Sequence, residues 1–270
     1  MKRVIALICV LSAMLIAGAP FFINSMVNIG YYSPLETYND ELLSESLALS
    51  LFPQIHGFSM NAEKNKELNF GCYDVSVLYK EHKNAGDFDA YGVSGRYIRG
   101  KVDTDNFNHV FNMFSVKSEI IERDYDANVW SDIDAGKYYF AYFRIKNVLF
   151  ENVDNYSKFI SKKYNLAEWI GYKFETSEVL WGETTDNKKS FYSEKRVDLY
   201  SLFANLQNGK EEVRYFSDLK LYGNALQCDF NNLLNQLPET LPSCVMMYGT
   251  GQQILEYKQD EFLELLEIKR

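Results

Sequence analysis

The densest group of candidate metal ligands is an acidic stretch near the middle of the chain. Asp124, Asp126 and Asn128 occur at alternate positions, and Asp132 and Asp134 follow closely. Oxygen ligands at alternate positions are what a calcium-binding loop uses. The spacing therefore gives one metal-site hypothesis, in which Asp124, Asp126 and Asn128 are the calcium ligands.

This stretch departs from the EF-hand pattern at two positions that matter for calcium. Val129 stands where a glycine allows the sharp turn, and Ala135 stands where a bidentate glutamate belongs. The alternative interpretation is an acidic, solvated loop between two strands. We favour this alternative, so no cofactor is expected, and calcium remains the one candidate.

The four cysteines include one pair that suits a disulfide in an exported protein. Cys9 lies in an apolar N-terminal segment, which leaves Cys72, Cys228 and Cys244. Cys228 and Cys244 flank a short stretch that ends in prolines, and they would form a disulfide in an oxidising compartment. Cys72 would then be the odd cysteine, buried on one face of a strand.

The sequence contains no clear motif for nucleophilic or metal-assisted catalysis. His56, His82 and His109 show neither HxH nor HExxH spacing, and no local pairing with a cysteine supports a catalytic triad. Ser217 and Lys220 match a Ser-x-x-Lys motif, but strand alternation would place them on opposite faces. These patterns therefore do not predict a catalytic site.

Two further patterns concern phosphate binding and hydrolysis. Gly249-Thr250-Gly251 is similar to a phosphate-binding turn, but the third glycine and the lysine are missing. Glu175, Glu178 and Glu183 would supply paired carboxylates for hydrolysis only if the fold brought them together. We therefore favour binding over catalysis and keep a hydrolase as the alternative.

The elements that position these residues follow an apolar N-terminal segment. Lys2 and Arg3 precede Val4–Ile23, and the first acidic residue is Glu36. About twenty helical residues rise about 30 Å, which matches the hydrocarbon thickness of a bilayer. We therefore predict a signal anchor within residues 1–30, with the N-terminus in the cytoplasm.

A cleaved signal peptide is the alternative for this segment. Ala17-Gly18-Ala19 has the small residues of a cleavage site, but Pro20 would follow the scissile bond and suits a signal protease poorly. A lipoprotein is excluded because Cys9 lies in the middle of the apolar segment. A buried core helix is disfavoured because the apolar run is too long. Export of residues 31–270 follows from either the anchor or the cleaved peptide.

The exported part is strongly acidic. The chain has 28 basic and 37 acidic residues, and Lys2 and Arg3 precede the apolar segment. Residues 31–270 therefore carry 26 basic against 37 acidic residues, a net charge of −11. Such a charge argues against nucleic-acid binding and against docking on anionic lipid, because both need basic surfaces. A basic protein partner is the class that this charge favours.

The exported part alternates between strand and helix periodicity, which predicts a single α+β domain with a mainly antiparallel sheet over residues 31–270. Ser33-Pro34-Leu35-Glu36 begins an N-terminal helix that ends before Pro53. Asp154 begins a central helical insertion. A C-terminal amphipathic helix is predicted for Thr250 to Arg270.

Strands are predicted where residues alternate or where β-branched and aromatic residues cluster. The clearest alternation covers Tyr73–Tyr79. The other predicted strands are 93–102, 108–121, 137–150, 173–181, 191–203 and 211–222. A second helix start is predicted at Asn165, with Gly171 as its end, and Asn208-Gly209 is predicted to be a hairpin turn.

These patterns favour a membrane-tethered or secreted extracytoplasmic binding protein without catalytic chemistry. The chain has 20 tyrosines and 19 phenylalanines, so some aromatic rings are expected on the surface, where tyrosine is common in contact sites. An inhibitor or immunity-type protein that blocks a basic partner is the specific case. The alternative is an envelope hydrolase whose carboxylates converge only in the fold.

Overall fold

The computed structural model describes residues 8–19, 22, 46–64, 73–84, 87–98, 101–103, 112–146, 155–187, 196–211 and 229–270. Within these ranges the chain forms two antiparallel sheets and several helices. The predicted class, α+β with an antiparallel sheet, is confirmed.

The first sheet is a four-stranded meander in the order β1-β2-β3-β4. Its strands are β1 (Ile55–Lys64), β2 (Tyr73–Asn84), β3 (Asp87–Ile98) and β4 (Lys101–Asp103). The register pairs Val77 with Met60 of β1 and with Val93 of β3. The strand predicted over Tyr73–Tyr79 is confirmed.

The second sheet has five antiparallel strands in the order β7-β6-β8-β5-β9. They are β5 (Tyr138–Ile145), β6 (Ala167–Tyr172), β7 (Trp181–Thr184), β8 (Pro242–Thr250) and β9 (Leu263–Lys269). The three inner strands β6, β8 and β5 are buried along most of their length. This burial on both faces explains their nearly continuous apolar sequences.

Among the described helices that accompany this sheet, four begin after a side chain that caps backbone N–H groups. They are α1 (Tyr156–Lys163), α2 (Leu199–Glu211), α3 (Phe230–Gln236) and α4 (Gly251–Leu255). The capping residues are Asn155, Asp198, Asp229 and Thr250. Caps of this kind satisfy N–H groups that have no partner within the helix. The start predicted near Asp154 is confirmed, since α1 begins two residues later.

The main core lies on the helical face of the second sheet. Trp181 of β7 packs edge-on against Phe203 of α2 and Phe230 of α3, with ring centroids 5.3 and 6.0 Å apart. A helix at residues 46–51 adds buried leucines to this core. It ends before Pro53, as predicted, whereas its predicted start at Ser33 lies outside the described residues.

The opposite face of the sheet holds the indole of Trp169. Gly171 and Gly182 are paired across β6 and β7, and a Cβ on either glycine would overlap the indole. The indole Nε1 donates to the Ser50 carbonyl at 3.1 Å, and the Gly182 N–H donates to Ser50 Oγ at 3.2 Å. The helix at residues 46–51 is therefore joined to this face of the sheet.

The apolar N-terminal segment is helical over residues 8–19. The large apolar side chains of this helix are 51–74% exposed: Ile8, Val10, Leu11, Met14, Leu15 and Ile16. No helix in the described part of the chain is long and apolar enough to cross a membrane. Because the described helix covers only part of Val4–Ile23, the signal anchor stays a prediction.

The C-terminal region differs from the amphipathic helix predicted for Thr250–Arg270. Only Gly251–Leu255 is α-helical, a 3-10 turn follows, and Leu263–Lys269 forms the edge strand β9. Leu263 and Leu265 are buried, whereas the intervening glutamate is half-buried. Residues 263–269 fit a strand because the outer edge of β5 offers backbone hydrogen bonds that a helix could not use.

Other local predictions were wrong because strand pairing or a helix cap, rather than the local sequence pattern, decides the structure there. The helix predicted at Asn165–Gly171 is strand β6, and the strand predicted at Phe191–Phe203 ends in helix α2, which also contains Asn208-Gly209. The described part of the strand predicted at 108–121 is helical at 112–114 and forms a 3-10 helix from Ser118. In the strand predicted at 173–181, only an isolated bridge at Val179 and the first residue of β7 take part in pairing.

Candidate functional site

A pocket of about 490 Å³ lies between α1, β7 and the start of α2. Its charged lining residues are Lys158, Glu183, Asp186, Arg196 and Asp198, and its aromatic lining residues are Tyr156 and Tyr172. Glu183 is half-buried, whereas the other four charged residues are exposed. Glu183 is therefore the charged group that lies deepest in the described lining.

Strand pairing directs Glu183 towards this pocket. Glu183 lies opposite Ile170 of β6, which is buried in the main core, so both side chains lie on the helical face of the sheet. Glu183 Oε1 accepts from the Leu199 N–H at 3.2 Å, and Oε2 accepts from the Tyr172 hydroxyl at 3.3 Å. One contact from α2 and one from β6 thus hold the carboxylate in place.

Burial is the largest cause of the pKa shifts of Glu183 and Tyr172. It raises the pKa of Glu183 above its usual range, and the nearby Asp198 adds to this shift. The hydrogen bonds from the Leu199 N–H and from Tyr172 act in the opposite direction but do not cancel the rise in pKa. Burial and the Glu183 charge raise the pKa of Tyr172 far above its usual range, so its hydroxyl remains a hydrogen-bond donor.

The other two acids of the pocket already have structural partners. Asp198 Oδ1 accepts from the N–H groups of Tyr200 and Ser201 at 3.1 and 3.4 Å and caps α2. Asp186 forms an ion pair with Arg196 in direct contact. No histidine or cysteine belongs to the described lining of the pocket. The arrangement therefore offers hydrogen-bonding and charged groups for binding, with Glu183 at its centre.

The three glutamates considered for hydrolysis do not converge. Glu175 and Glu178 lie exposed in the connection between β6 and β7, and only Glu183 lines the pocket. The sequence had pointed to Glu183 but to neither of the groups that hold it. Asp198, which precedes the apolar residues of α2, could have been recognised as a helix cap.

The proposed calcium ligands lie on an exposed segment. Asp124, Asp126 and Asn128 are all exposed, and Asp126 Oδ1 accepts from the Asn128 N–H at 2.9 Å. This contact caps the 3-10 helix Ala127–Asp132. In the part of the chain that the structure describes, no three His, Cys, Asp or Glu side chains converge as metal ligands. Asp126 thus has a structural role that requires no metal.

The same residues form a strongly acidic surface, which we call the acidic segment and define as residues 119–134. It contains six exposed acids and one basic residue: Glu119, Glu122, Asp124, Asp126, Asp132, Asp134 and Arg123. Tyr125 lies among them, is 47% exposed, and accepts a hydrogen bond from Trp130 Nε1 at 3.0 Å. Trp130 is itself buried, so it fixes Tyr125 at the surface.

The cysteine and glycine candidates have other environments. Cys244 on β8 is fully buried, and burial raises the pKa of its thiol well above the usual range. Cys228 and Cys72 lie outside the described residues, so the Cys228–Cys244 disulfide stays a prediction. In Gly249-Thr250-Gly251, the Gly251 N–H donates to the carbonyl of Lys137 at 2.7 Å and is not available to a phosphate.

The remaining candidates are the three histidines and the Ser-x-x-Lys match. His56 and His82 lie on β1 and β2, and His109, Ser217 and Lys220 lie outside the described residues. No known protein family, curated protein or solved structure matches this chain. The geometry of the pocket and of the acidic segment therefore carries the functional interpretation alone.

Proposed function

We propose that this chain is a membrane-tethered extracytoplasmic protein that binds a basic protein partner and performs no chemistry on it. This proposal rests on the contacts of the three acids that line the pocket described above, which we call the Glu183 pocket. Glu183, Asp186 and Asp198 each have a structural partner, and the pocket opens to solvent beside them. Such a site can receive a ligand, but its described lining lacks a second carboxylate free for catalysis.

Hydrolysis by two carboxylates requires two acids with separate roles at the same bond. One must donate a proton, and the other must activate water or attack the substrate. Glu183 has the raised pKa of a proton donor, but Asp198 is held as a helix cap and Asp186 pairs with Arg196. This is why binding is preferred to the envelope hydrolase, which remains the second candidate because of Glu183.

The acidic segment supports a basic protein partner. Six exposed acids against one basic residue give this segment a net charge of −5. Complementary charge accelerates the encounter between proteins and selects the partner. The buried Trp130 holds Tyr125 in place, so a rigid aromatic ring is presented at little entropic cost on binding.

The apolar N-terminal helix supports a membrane tether. Its exposed side chains would contact water in an aqueous compartment, and each fully buried large apolar side chain gains about 1.5–3 kcal/mol. Transfer into a bilayer removes this unfavourable contact. Lys2 and Arg3 favour the cytoplasmic side for the N-terminus, which leaves residues 31–270 outside.

Membrane fractionation and intact mass test the tether. We expect the full-length chain in the membrane fraction, with residues 31–270 degraded when protease is added outside the cell. A mature N-terminus at or after Pro20 would indicate a secreted protein instead. A full-length chain that is protected from the protease would contradict export.

Chemical crosslinking in intact cells tests the partner. We expect the full chain to capture a basic protein at a defined stoichiometry, and capture should weaken at high salt because exposed charges are screened. Replacing Asp124 and Asp132 by asparagine should reduce capture, whereas Glu261→Gln removes one exposed acid outside the acidic segment and serves as the control. Capture that is equal in all three proteins would contradict this surface.

A further inference from the structure

We propose that the Glu183 pocket binds an organic cation, the guanidinium or ammonium group of a basic side chain, and that the Glu183 carboxylate pairs with it. This inference rests on the proposed binding function and names the chemistry that its pocket recognises. It concerns the helical face of the sheet, where Glu183 lies. It is therefore tested separately from the acidic segment.

The pocket has the size and walls that such a group needs. Its volume of about 490 Å³ lies within the range of small-ligand sites, and a basic side chain with its neighbouring backbone would fit. Tyr156 and Tyr172 provide aromatic lining. Guanidinium and ammonium groups are attracted to aromatic faces, and guanidinium also stacks on them.

The charges around the pocket favour a cation at its inner end. Glu183 is half-buried, and Asp198 adds a second negative charge nearby. The charge of Arg196 is balanced by Asp186 in their ion pair. Lys158, on the first turn of α1, is exposed. Among the described lining residues, the inner end is therefore negative, and Lys158 is the charge that opposes a bound cation.

The carboxylate is already oriented for such a contact. The Leu199 N–H and the Tyr172 hydroxyl each donate to a different oxygen of Glu183. A carboxylate offers about four acceptor positions, so both oxygens retain capacity for a donor from a ligand. Guanidinium donors match a carboxylate in geometry and form strong charge-assisted hydrogen bonds.

Binding should release a proton when Glu183 is protonated beforehand. Burial raises the pKa of Glu183, and a cation beside it would favour the ionised form and lower that pKa again. In the described lining, the titratable and charged groups beside Glu183 are Tyr156 and Lys158 of α1, Tyr172 of β6, Asp186 after β7, and Arg196 and Asp198 before α2. Affinity should therefore rise with pH until Glu183 is fully ionised, and then level off.

Calorimetry on the full chain in detergent micelles tests this inference with two matched probes. N-acetyl-L-arginine amide carries the cation, and N-acetyl-L-citrulline amide has nearly the same shape without the charge. We expect the arginine probe to bind on the order of tenfold or more tightly than the citrulline probe. At a pH at which Glu183 is protonated before binding, the binding enthalpy of the arginine probe should depend on the ionisation enthalpy of the buffer, because a proton is released.

Three variants assign the effect to the pocket. Glu183→Gln should remove the preference for arginine and the proton release, whereas Glu183→Asp should retain part of both because it keeps the charge. Lys158→Gln should tighten arginine binding by about twofold or more, since it removes a like charge. Glu261→Gln, an exposed acid outside the pocket, should change neither quantity.

The outcomes separate this inference from the proposed function. Equal binding of the two probes would identify a site for neutral polar ligands and would overturn the inference. Failure of both probes to bind, or a Glu183→Gln variant that is folded and unchanged, would overturn it as well. The calorimetry needs neither a membrane nor the natural partner. Capture of a basic protein by a chain that fails with the arginine probe would therefore leave the proposed function standing.

Discussion

The indole of Trp169 lies over Gly182 of the neighbouring strand, in space that no larger residue at position 182 could share. The same indole donates to the Ser50 carbonyl, and Ser50 in turn accepts from the Gly182 N–H. The helix at residues 46–51, which is distant in sequence, therefore meets strands β6 and β7 at one ring. Because Gly182 has no side chain, the indole has room to lie over it, which explains a glycine in this buried strand.

Gly182→Ala is expected to destabilise the fold. The added Cβ would overlap the indole, and inserting a methyl group into a packed core costs about 1–3 kcal/mol. The measurement is the free energy of unfolding in urea. Gly136→Ala is the matched control, because its Cβ would meet nothing closer than 3.7 Å. Equal losses in the two variants would contradict the role given to Gly182.

Asp126→Ala should cost about 0.5–2 kcal/mol of stability through the loss of a cap. The Asp126 carboxylate accepts from the Asn128 N–H at the start of the 3-10 helix. Thermal unfolding with calcium and with a chelator provides the measurement. We expect the same loss under both conditions. A loss that appears only with calcium would instead support Asp124, Asp126 and Asn128 as ligands.

Glu183 should make stability depend on pH. Its pKa is raised by burial in the folded state, so folding is favoured when the group is protonated. The contribution is fully present below the unfolded pKa of about 4.3 and is lost as the pH rises through the folded pKa. Glu183→Gln removes this dependence. The stability of the variant relative to the natural chain should therefore increase with pH in that window and be flat above it.

Thiol labelling should report on the state of Cys244. Its thiol is fully buried with a raised pKa, so iodoacetamide should not modify Cys244 in the native protein. Mass spectrometry of digested protein gives the readout. Labelling of Cys244 in denaturant without reductant would contradict the disulfide predicted with Cys228, and labelling only after reduction would support it.

Strands and helices were predictable where the local pattern and the tertiary partner agree. The alternation at Tyr73–Tyr79 and the start of α1 at Asn155 are of this kind. Leu199, Leu202 and Phe203 also follow a helical spacing after Asp198, so the start of α2 could have been recognised. The aromatic and β-branched residues upstream of Asp198 favour a strand instead, and they conceal this helix start in the local pattern.

The edge strand β9 and the Glu183 pocket were not predictable in the same way. Residues 263–269 satisfy both helical and strand spacing, and pairing with β5 decides between them. Glu183 was a candidate acid by residue type alone. Its contacts to Tyr172 and Leu199 arise from the pairing of β6 with β7 and from the path of the chain into α2. Neither follows from a local pattern.

Strand β5 lies between β8 and β9, two strands that come much later in the chain. Phe143 of β5 pairs with Val245 of β8 and with Leu265 of β9, so both neighbours are made about a hundred residues later. During synthesis the apolar strand Tyr138–Ile145 has neither of these partners until residues 242–250 and 263–269 have been made. We therefore expect this sheet to form slowly and late in folding. Until then β5 is unpaired, and we expect its protection from aggregation to limit the yield of folded protein.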